Sequence, residues 1–153
     1  MGDTFKRQRR SDVATIGSEG GGYPRRGEIW SVDLPNQPGD PHTPRPALIV
    51  STDVRNRLAG DVVVVPLSTR LHRLPTHVFI PAGVGGIPLD SMAKCEQITT
   101  LDKQFLTDGP MGERVRDGLL AEIVYAVRRA IGEIIPLSDV PVRTRTSRRR
   151  TNP

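Results

Sequence analysis

Two short apolar runs, residues 47–50 and 62–67, most constrain the fold of this chain of 153 residues. Both are rich in Val, Ile and Leu and are bounded by polar or turn-forming residues, which is typical of buried strands. The stretch "GEIWSVDL" from Gly27 alternates apolar and polar residues and predicts a half-buried strand. We predict the other strands at residues 45–51, 61–67, 76–80 and 91–98. Four prolines in residues 35–44 predict a loop there.

The periodicity changes near the C-terminal end of the chain. In residues 112–135 the apolar side chains recur at the spacing of a helix, with charged residues between them. This pattern predicts an amphipathic helix that covers the sheet or pairs with a second copy. Strands followed by one terminal helix predict an α+β fold of the small-barrel type.

The basic charge of the chain is concentrated at its ends. Residues 1–26 carry a net charge of +3 and residues 139–153 a net +4, which leaves −2 on residues 27–138 of the total of +5. We therefore predict a disordered basic arm over residues 1–24, one domain over residues 25–138 and a disordered basic tail over residues 139–153. Flexible arginines in the two ends would add nonspecific affinity for phosphate.

Cysteine and histidine usage limits the classes of site. Cys95 is the only cysteine, so an internal disulfide is excluded, and no Cys/His spacing suits a structural metal. No apolar run approaches the about 20 residues of a membrane span, and the N-terminal stretch has no signal-peptide core. We expect a cytoplasmic protein with no metal, no cofactor and no membrane association.

Polar residues stand at the ends of the two predicted strands that contain residues 47–50 and 62–67. Arg45 precedes the first, and Ser68, Thr69 and Arg70 end the second. If the strands pair, their guanidinium and hydroxyl groups meet at one end of the sheet and suit an anion. Alternatively, Arg45 pairs with Asp40 or Asp53, and the hydroxyls only bond to the strand end.

Three other features have plainer interpretations from the sequence. Among the three histidines, only His42 is a site candidate, because it lies near Arg45, while His77 is expected to be structural. Glu96 is expected to be a solvated or turn-bonding carboxylate. The stretch "GVGG", residues 83–86, is expected to be a flexible turn. Spacing alone thus leads to an anion site on a small β-rich domain.

Five stretches in order resemble the MazF/PemK family of toxin endoribonucleases over residues 26–136. They are "RRGEIWSVDL", "RPALIVS", "VVPLST", "LPTHV" and "DSMAKCEQITTLDKQFLTD". The resemblance implies an SH3-like small barrel with a C-terminal helix, a homodimer and a MazE-like antitoxin as partner. It also implies metal-independent cleavage of single-stranded RNA at a short recognition sequence, which leaves a 2′,3′-cyclic phosphate and a 5′-hydroxyl and so inhibits translation and growth. The RNA would be mRNA, with rRNA and tRNA as further candidates.

The resemblance also assigns roles to residues. The arginine of the family's "RP" motif falls on Arg45, and the catalytic hydroxyl falls on Ser68, where many members have threonine, so that Thr69 could share the role. His42 and then Asp40 are the candidates for the general base. The residues expected to contact the RNA are Asp40, His42, Arg70, His72, Arg73 and Gln97. The alternative is a gyrase-binding toxin like CcdB, which cuts nothing.

Overall fold

The computed structural model describes residues 22–34 and 44–134. The expectations for the basic arm up to residue 21, for the C-terminal tail and for Asp40 and His42 lie outside these residues. Within them the strands are β1 Ile29–Val32, β2 Arg45–Ile49, β3 Asp61–Ser68, β4 His77–Ile80, β5 Ser91–Lys94, β6 Thr99–Asp102 and β7 Leu106–Asp108. The α-helices are α1 Asp53–Leu58 and α2 Asp117–Ala130.

The strands form one antiparallel sheet in the order β4-β5-β3-β2-β1-β7, with β6 also paired to β3. β3, eight residues long, is the central strand. One of its edges pairs with β2, and the other pairs first with β6 and then with β5. In the described part of the chain β4 and β7 are the two outer strands and do not pair with each other. The predicted class, α+β with a C-terminal helix, is confirmed, and the sheet is antiparallel.

Side-chain alternation along the strands creates two separate apolar layers. Leu48 and Val65 point to the layer that α2 covers, where Ile123 of the helix is fully buried. Ile49 and Val64 point to the opposite layer, together with Trp30. Burial of each large aliphatic side chain contributes about 1.5–3 kcal/mol, so both layers are needed to stabilise a domain of this size.

The C-terminal helix is shorter than predicted. It begins at Asp117 and not near residue 112, because the preceding segment runs along β1: the N–H of Met111 donates to the Ile29 carbonyl at 2.8 Å. It ends at Ala130, before Gly132, which has a φ of 90°. Ile131 and Ile134 are therefore 73% and 95% exposed, although the periodicity places both on the apolar face.

Other differences concern short elements. The strand predicted over residues 91–98 ends at Lys94, because Cys95–Gln97 forms a 3₁₀ turn. The connection between β2 and β3 contains α1 and is no simple polar turn, and β6 and β7 are absent from the sequence prediction. These two strands have four and three residues, and most of their side chains are exposed, so the apolar pattern that marks a strand is missing.

The "GVGG" stretch is a packed part of the fold and not the flexible turn that the sequence predicts. Gly85 and Gly86 have φ values of 63° and 83°, a conformation that glycine adopts without strain. A Cβ atom on Gly86 would lie 2.2 Å from the carbonyl oxygen of Met111. The stretch therefore fixes the segment that leads into α2.

Candidate active site

Pairing of β2 with β3 brings Arg45 and Ser68 to the same place on the sheet. The ladder pairs Ala47 with Pro66 and Ile49 with Val64, and the same register continued by two residues sets Arg45 opposite Ser68. Residues that face each other across antiparallel strands project to the same side, with Cβ atoms about 4.5–5.5 Å apart. Arg45 is exposed and Ser68 is partly exposed, so both can be reached from solvent.

A backbone bond orients the hydroxyl of Ser68. Its Oγ accepts a hydrogen bond from the N–H of Arg70 at 3.2 Å. Because that bond uses a lone pair of the oxygen, the hydroxyl hydrogen can still be donated to an anion. Thr69 is exposed and follows the last residue of β3, so strand alternation does not direct it to the side of Ser68.

The residues after Ser68 form an exposed basic loop, which we call the basic loop and define as residues 69–76. It connects β3 to β4 and contains Arg70, His72 and Arg73, all of which are exposed. Three of the predicted RNA-contacting residues therefore lie in the loop that directly follows Ser68, and the first of them, Arg70, is two residues away from it.

His77 and Glu96 attach the basic loop to the rest of the domain. The Nε2 atom of His77 lies 2.8 Å from Oε1 of Glu96, and its Nδ1 atom lies 2.7 Å from the backbone oxygen of His72. Thr76 donates its hydroxyl to Oε2 of Glu96 at 3.0 Å. Glu96 is therefore no merely solvated carboxylate, and His77 has a partner inside the loop.

The environment of Glu96 changes its acidity. Partial burial acts to raise its pKa, but the hydrogen bonds from His77, from its own backbone and from Thr76 act in the opposite direction. The net result is a pKa below the usual 4.5, so Glu96 is ionised at neutral pH. Gln97, the next residue, is exposed and ends a 3₁₀ turn that packs against α2, β3 and β4.

The pairing of β5 adds residues that the sequence analysis missed. Met92 faces Ser68 on one side and Phe79 on the other, and Lys94 lies two residues beyond Met92 on the same face. The side chain of Lys94 is thus a diagonal neighbour of Ser68, at about 7–8 Å. The alternation in "SMAK" could have placed Met92 and Lys94 on one face, but only the pairing shows which strand they adjoin.

Two other polar residues have structural surroundings. Asp53, the alternative partner considered for Arg45, accepts the backbone N–H of Arg26 at 2.7 Å through its Oδ1. Burial raises the pKa of the Cys95 thiol to about 12, with smaller contributions from the negative charges of Glu96 and Glu122.

Across the described residues, no group of three or more His, Cys, Asp or Glu side chains could hold a metal ion. None of the described helices is long and apolar enough to span a membrane.

Comparison with known proteins identifies the family. Residues 25–135 match the model of a family described as PemK-like, MazF-like toxins of type II toxin-antitoxin systems. The chain belongs to this family. It is 35% identical over 111 residues to endoribonuclease MazF9 of Mycobacterium tuberculosis, a match that covers 68% of this chain and 92% of the relative. It is 37% identical over 87 residues to endoribonuclease EndoA of Bacillus subtilis, covering 55% of this chain and 75% of the relative.

A solved structure extends the match to three dimensions. An endoribonuclease from a mycobacterial species, in complex with its cognate antitoxin, is 32% identical to this MazF/PemK-family chain, with a TM-score of 0.61. The superposition covers 74% of this chain and 99% of the relative. The family predicted from the five sequence stretches is confirmed, and the names of these relatives support the predicted endoribonuclease class.

Proposed function

We propose that this MazF/PemK-family protein is the toxin of a type II toxin-antitoxin system and cleaves single-stranded RNA. The observation that carries the proposal is the pairing of β2 with β3, whose register, continued two residues beyond Ala47 and Pro66, sets Arg45 opposite Ser68. A guanidinium fork and a hydroxyl on one face are the donors that a phosphodiester needs. The basic loop beside them adds the charge that attracts the RNA backbone.

Cleavage uses the RNA's own 2′-hydroxyl as the nucleophile. A bond forms between the 2′-oxygen and phosphorus, the bond from phosphorus to the 5′-oxygen breaks, and the products are a 2′,3′-cyclic phosphate and a 5′-hydroxyl. Arg45 stabilises the charge on the phosphorane and is the candidate proton donor to the leaving oxygen. Ser68 donates to a non-bridging oxygen, a role that Thr69 could share. His42 and then Asp40 are the candidates that accept the 2′ proton.

The RNA would lie along the basic loop and the face of β3 and β5. We infer that Arg70, His72 and Arg73, all exposed on the basic loop, contact phosphates, and that the ammonium group of Lys94 on β5 adds to the positive charge of the arginines. Gln97 offers an amide for the edge of a base. Unstacked bases of single-stranded RNA also pack on aromatic rings. Phe79 has such a ring, and it is paired with Met92, which is paired in turn with Ser68.

The assembly follows from the same family membership. We infer a small SH3-like barrel that acts as a cytoplasmic homodimer and is inhibited by a MazE-like antitoxin. The solved mycobacterial relative is described as a complex with its cognate antitoxin. An acidic antitoxin segment would compete with RNA for Arg45 and the basic loop, because both ligands are anionic and extended.

One experiment tests the proposal directly. Purified protein is incubated with a mixed RNA pool in EDTA, and the ends of the products are mapped by sequencing and by their chemistry. We expect cuts at a short recurring sequence with cyclic-phosphate and 5′-hydroxyl ends. The Arg45→Ala variant, changed at an exposed strand end, should remain folded and lose at least about 100-fold in rate.

Two results would contradict the proposal. A folded Arg45→Ala variant that cuts within about tenfold of wild type would remove Arg45 from the site, since an electrostatic donor contributes more than this. Intact RNA combined with inhibition of DNA gyrase would favour the CcdB-like alternative. RNA that is bound but never cut would indicate a binding protein without catalysis.

A further inference from the structure

We propose that His77 and Glu96 form a positioning pair, which holds the basic loop in the conformation that receives RNA. This inference rests on the proposed function, because it assigns a purpose to the loop that carries Arg70, His72 and Arg73. It concerns two residues for which the sequence predicted no site role: His77 was expected to be structural, and Glu96 a solvated or turn-bonding carboxylate.

The pair reaches the loop at two points. His77 Nδ1 lies 2.7 Å from the backbone oxygen of His72, in the middle of the loop, and Thr76 at its end donates to Glu96 at 3.0 Å. Residues 69–75 are otherwise exposed and form no strand or helix. Among the described residues, His77 provides the one side-chain hydrogen bond to the backbone of residues 71–75.

The chemistry of the two bonds makes the pair strong. The His72 carbonyl oxygen and the ionised Glu96 carboxylate are both hydrogen-bond acceptors, so each contact is a hydrogen bond donated by the ring nitrogen that faces it when that nitrogen carries a proton. A hydrogen bond to an ionised carboxylate is stronger than one between neutral groups. The His77 side chain is 4% exposed and that of Glu96 36%, so water competes for the contact mainly from the Glu96 side. Lys94 faces His77 across the ladder, two residues before Glu96.

A positioning role explains why the His77 side chain, although buried, points towards the basic loop and not into the apolar layer under α2. β4 and β5 are already joined by their ladder, and the apolar layer under α2 is supplied by Val78 and Ile80. The His77 ring lies on the other face of β4 and bonds to a carbonyl beside Arg73. Without that bond, the hydrogen bond that holds residues 71–75 from β4 is the one from the backbone N–H of His77 to the Leu74 carbonyl at 2.9 Å. The part of the loop before Leu74 would then have to be ordered when RNA binds, and the entropy lost would weaken binding.

Three substitutions of His77 separate its two bonds. His77→Phe keeps the ring volume and removes both donors. His77→Asn places an amide N–H near the position of Nδ1, and thus keeps the link to His72, whereas His77→Gln places one near Nε2 and keeps only the link to Glu96. Thr76→Val, at the loop end, removes a single bond to Glu96 with little risk to the fold.

The measurements are RNA affinity, cleavage kinetics and amide exchange of the loop. Affinity is measured with an RNA whose 2′-hydroxyls are methylated, so that binding can be followed even if no cleavage occurs. His77→Phe should raise the RNA dissociation constant and KM by about tenfold, the effect of one net hydrogen bond, with kcat at saturating RNA within about threefold. His77→Asn should restore most of the affinity, His77→Gln should not, and Thr76→Val should fall between wild type and His77→Phe.

The outcomes distinguish this inference from the function on which it rests. If wild type binds RNA but never cuts it, the catalytic proposal fails and the affinity series still tests the positioning pair. If His77→Phe leaves affinity and loop exchange unchanged, or if Asn and Gln behave alike, the positioning inference is wrong. A parallel loss of kcat and melting temperature in His77→Phe, with KM unchanged, would show that His77 has a purely structural role. If His77→Phe does not fold, the RNA affinity and loop exchange of Thr76→Val decide whether the positioning inference holds.

Discussion

Removal of the Ser68 hydroxyl should slow cleavage strongly while leaving the domain folded. Ser68 stands opposite Arg45 in the continued register, and its Oγ accepts the N–H of Arg70, a bond that does not use the hydroxyl hydrogen. Ser68→Ala removes one donor to the phosphorane, and a single donor of this type contributes about 10²- to 10³-fold in rate, or about 2.7–4 kcal/mol in activation free energy.

The cost to stability should be small. The N–H of Arg70, which loses its acceptor, is exposed and can bond to water. We therefore expect the free energy of unfolding to change by less than about 0.5 kcal/mol, as for most surface substitutions. The loss of activity in Ser68→Ala would then report chemistry and not unfolding.

The assay is single-turnover cleavage of a fluorescent RNA in EDTA, with thermal unfolding measured on the same samples. Thr69→Ala is the matched control, because it removes a neighbouring hydroxyl that lies outside β3. Thr69→Ala should cut within about threefold of wild type, and Ser68→Thr should retain activity because the hydroxyl is kept, with fewer χ1 rotamers. A greater loss in Thr69→Ala than in Ser68→Ala would refute the register argument and move the role to Thr69.

Three further predictions concern other parts of the domain. Gly86→Ala should lower the free energy of unfolding, measured by chemical denaturation, by at least about 2 kcal/mol, because the new Cβ would be strained in the left-handed region and would overlap Met111. Gly83 is the control: its φ is 88°, but the space around it is open, so Gly83→Ala should cost only about 1 kcal/mol. The Cys95 thiol, buried and with its pKa raised to about 12, should react with a thiol reagent at pH 8 only as fast as the domain unfolds; rapid labelling of native protein would contradict its burial. The pKa of Glu96 in the folded protein lies below the usual 4.5 of the unfolded chain, so as the pH falls the unfolded chain binds a proton at Glu96 before the folded protein does. The stabilisation from ionised Glu96 is therefore present above pH 4.5 and is lost as the pH falls below it. The difference in melting temperature between wild type and Glu96→Gln should therefore be larger at pH 7 than at pH 3.5, and a constant difference would show that ionisation of Glu96 does not contribute.

Local sequence patterns determined the class of the fold. The apolar run at residues 62–67 lies in β3, the run at residues 47–50 overlaps β2, and the periodic segment contains α2, because buried strands and amphipathic helices impose their own spacing on apolar residues. The five family stretches likewise identified the family from order and composition alone. Elements without an apolar pattern, namely β6, β7 and α1, could not be found in this way.

The composition of the candidate site could be read from the sequence, but its arrangement could not. Arg45, Ser68 and Arg70 were proposed from their places at the strand ends, and the resemblance supported the first two. That Arg45 stands opposite Ser68 depends on the register of β2 against β3, which packing of the two apolar layers sets over the whole sheet.

The partners of His77 and Glu96 were decided only by the tertiary structure. The two residues are 19 positions apart, and no local spacing relates an imidazole on β4 to a carboxylate in the turn after β5. Pairing of β4 with β5 brings them together, since Lys94 faces His77 and Glu96 follows two residues later. Short-range periodicity indicates only which face of a helix or strand is buried. Contacts between strands depend on their register and on the order in which the sheet pairs them. The sequence therefore determined which residue types the site contains, and the pairing of the sheet determined which of these residues come into contact.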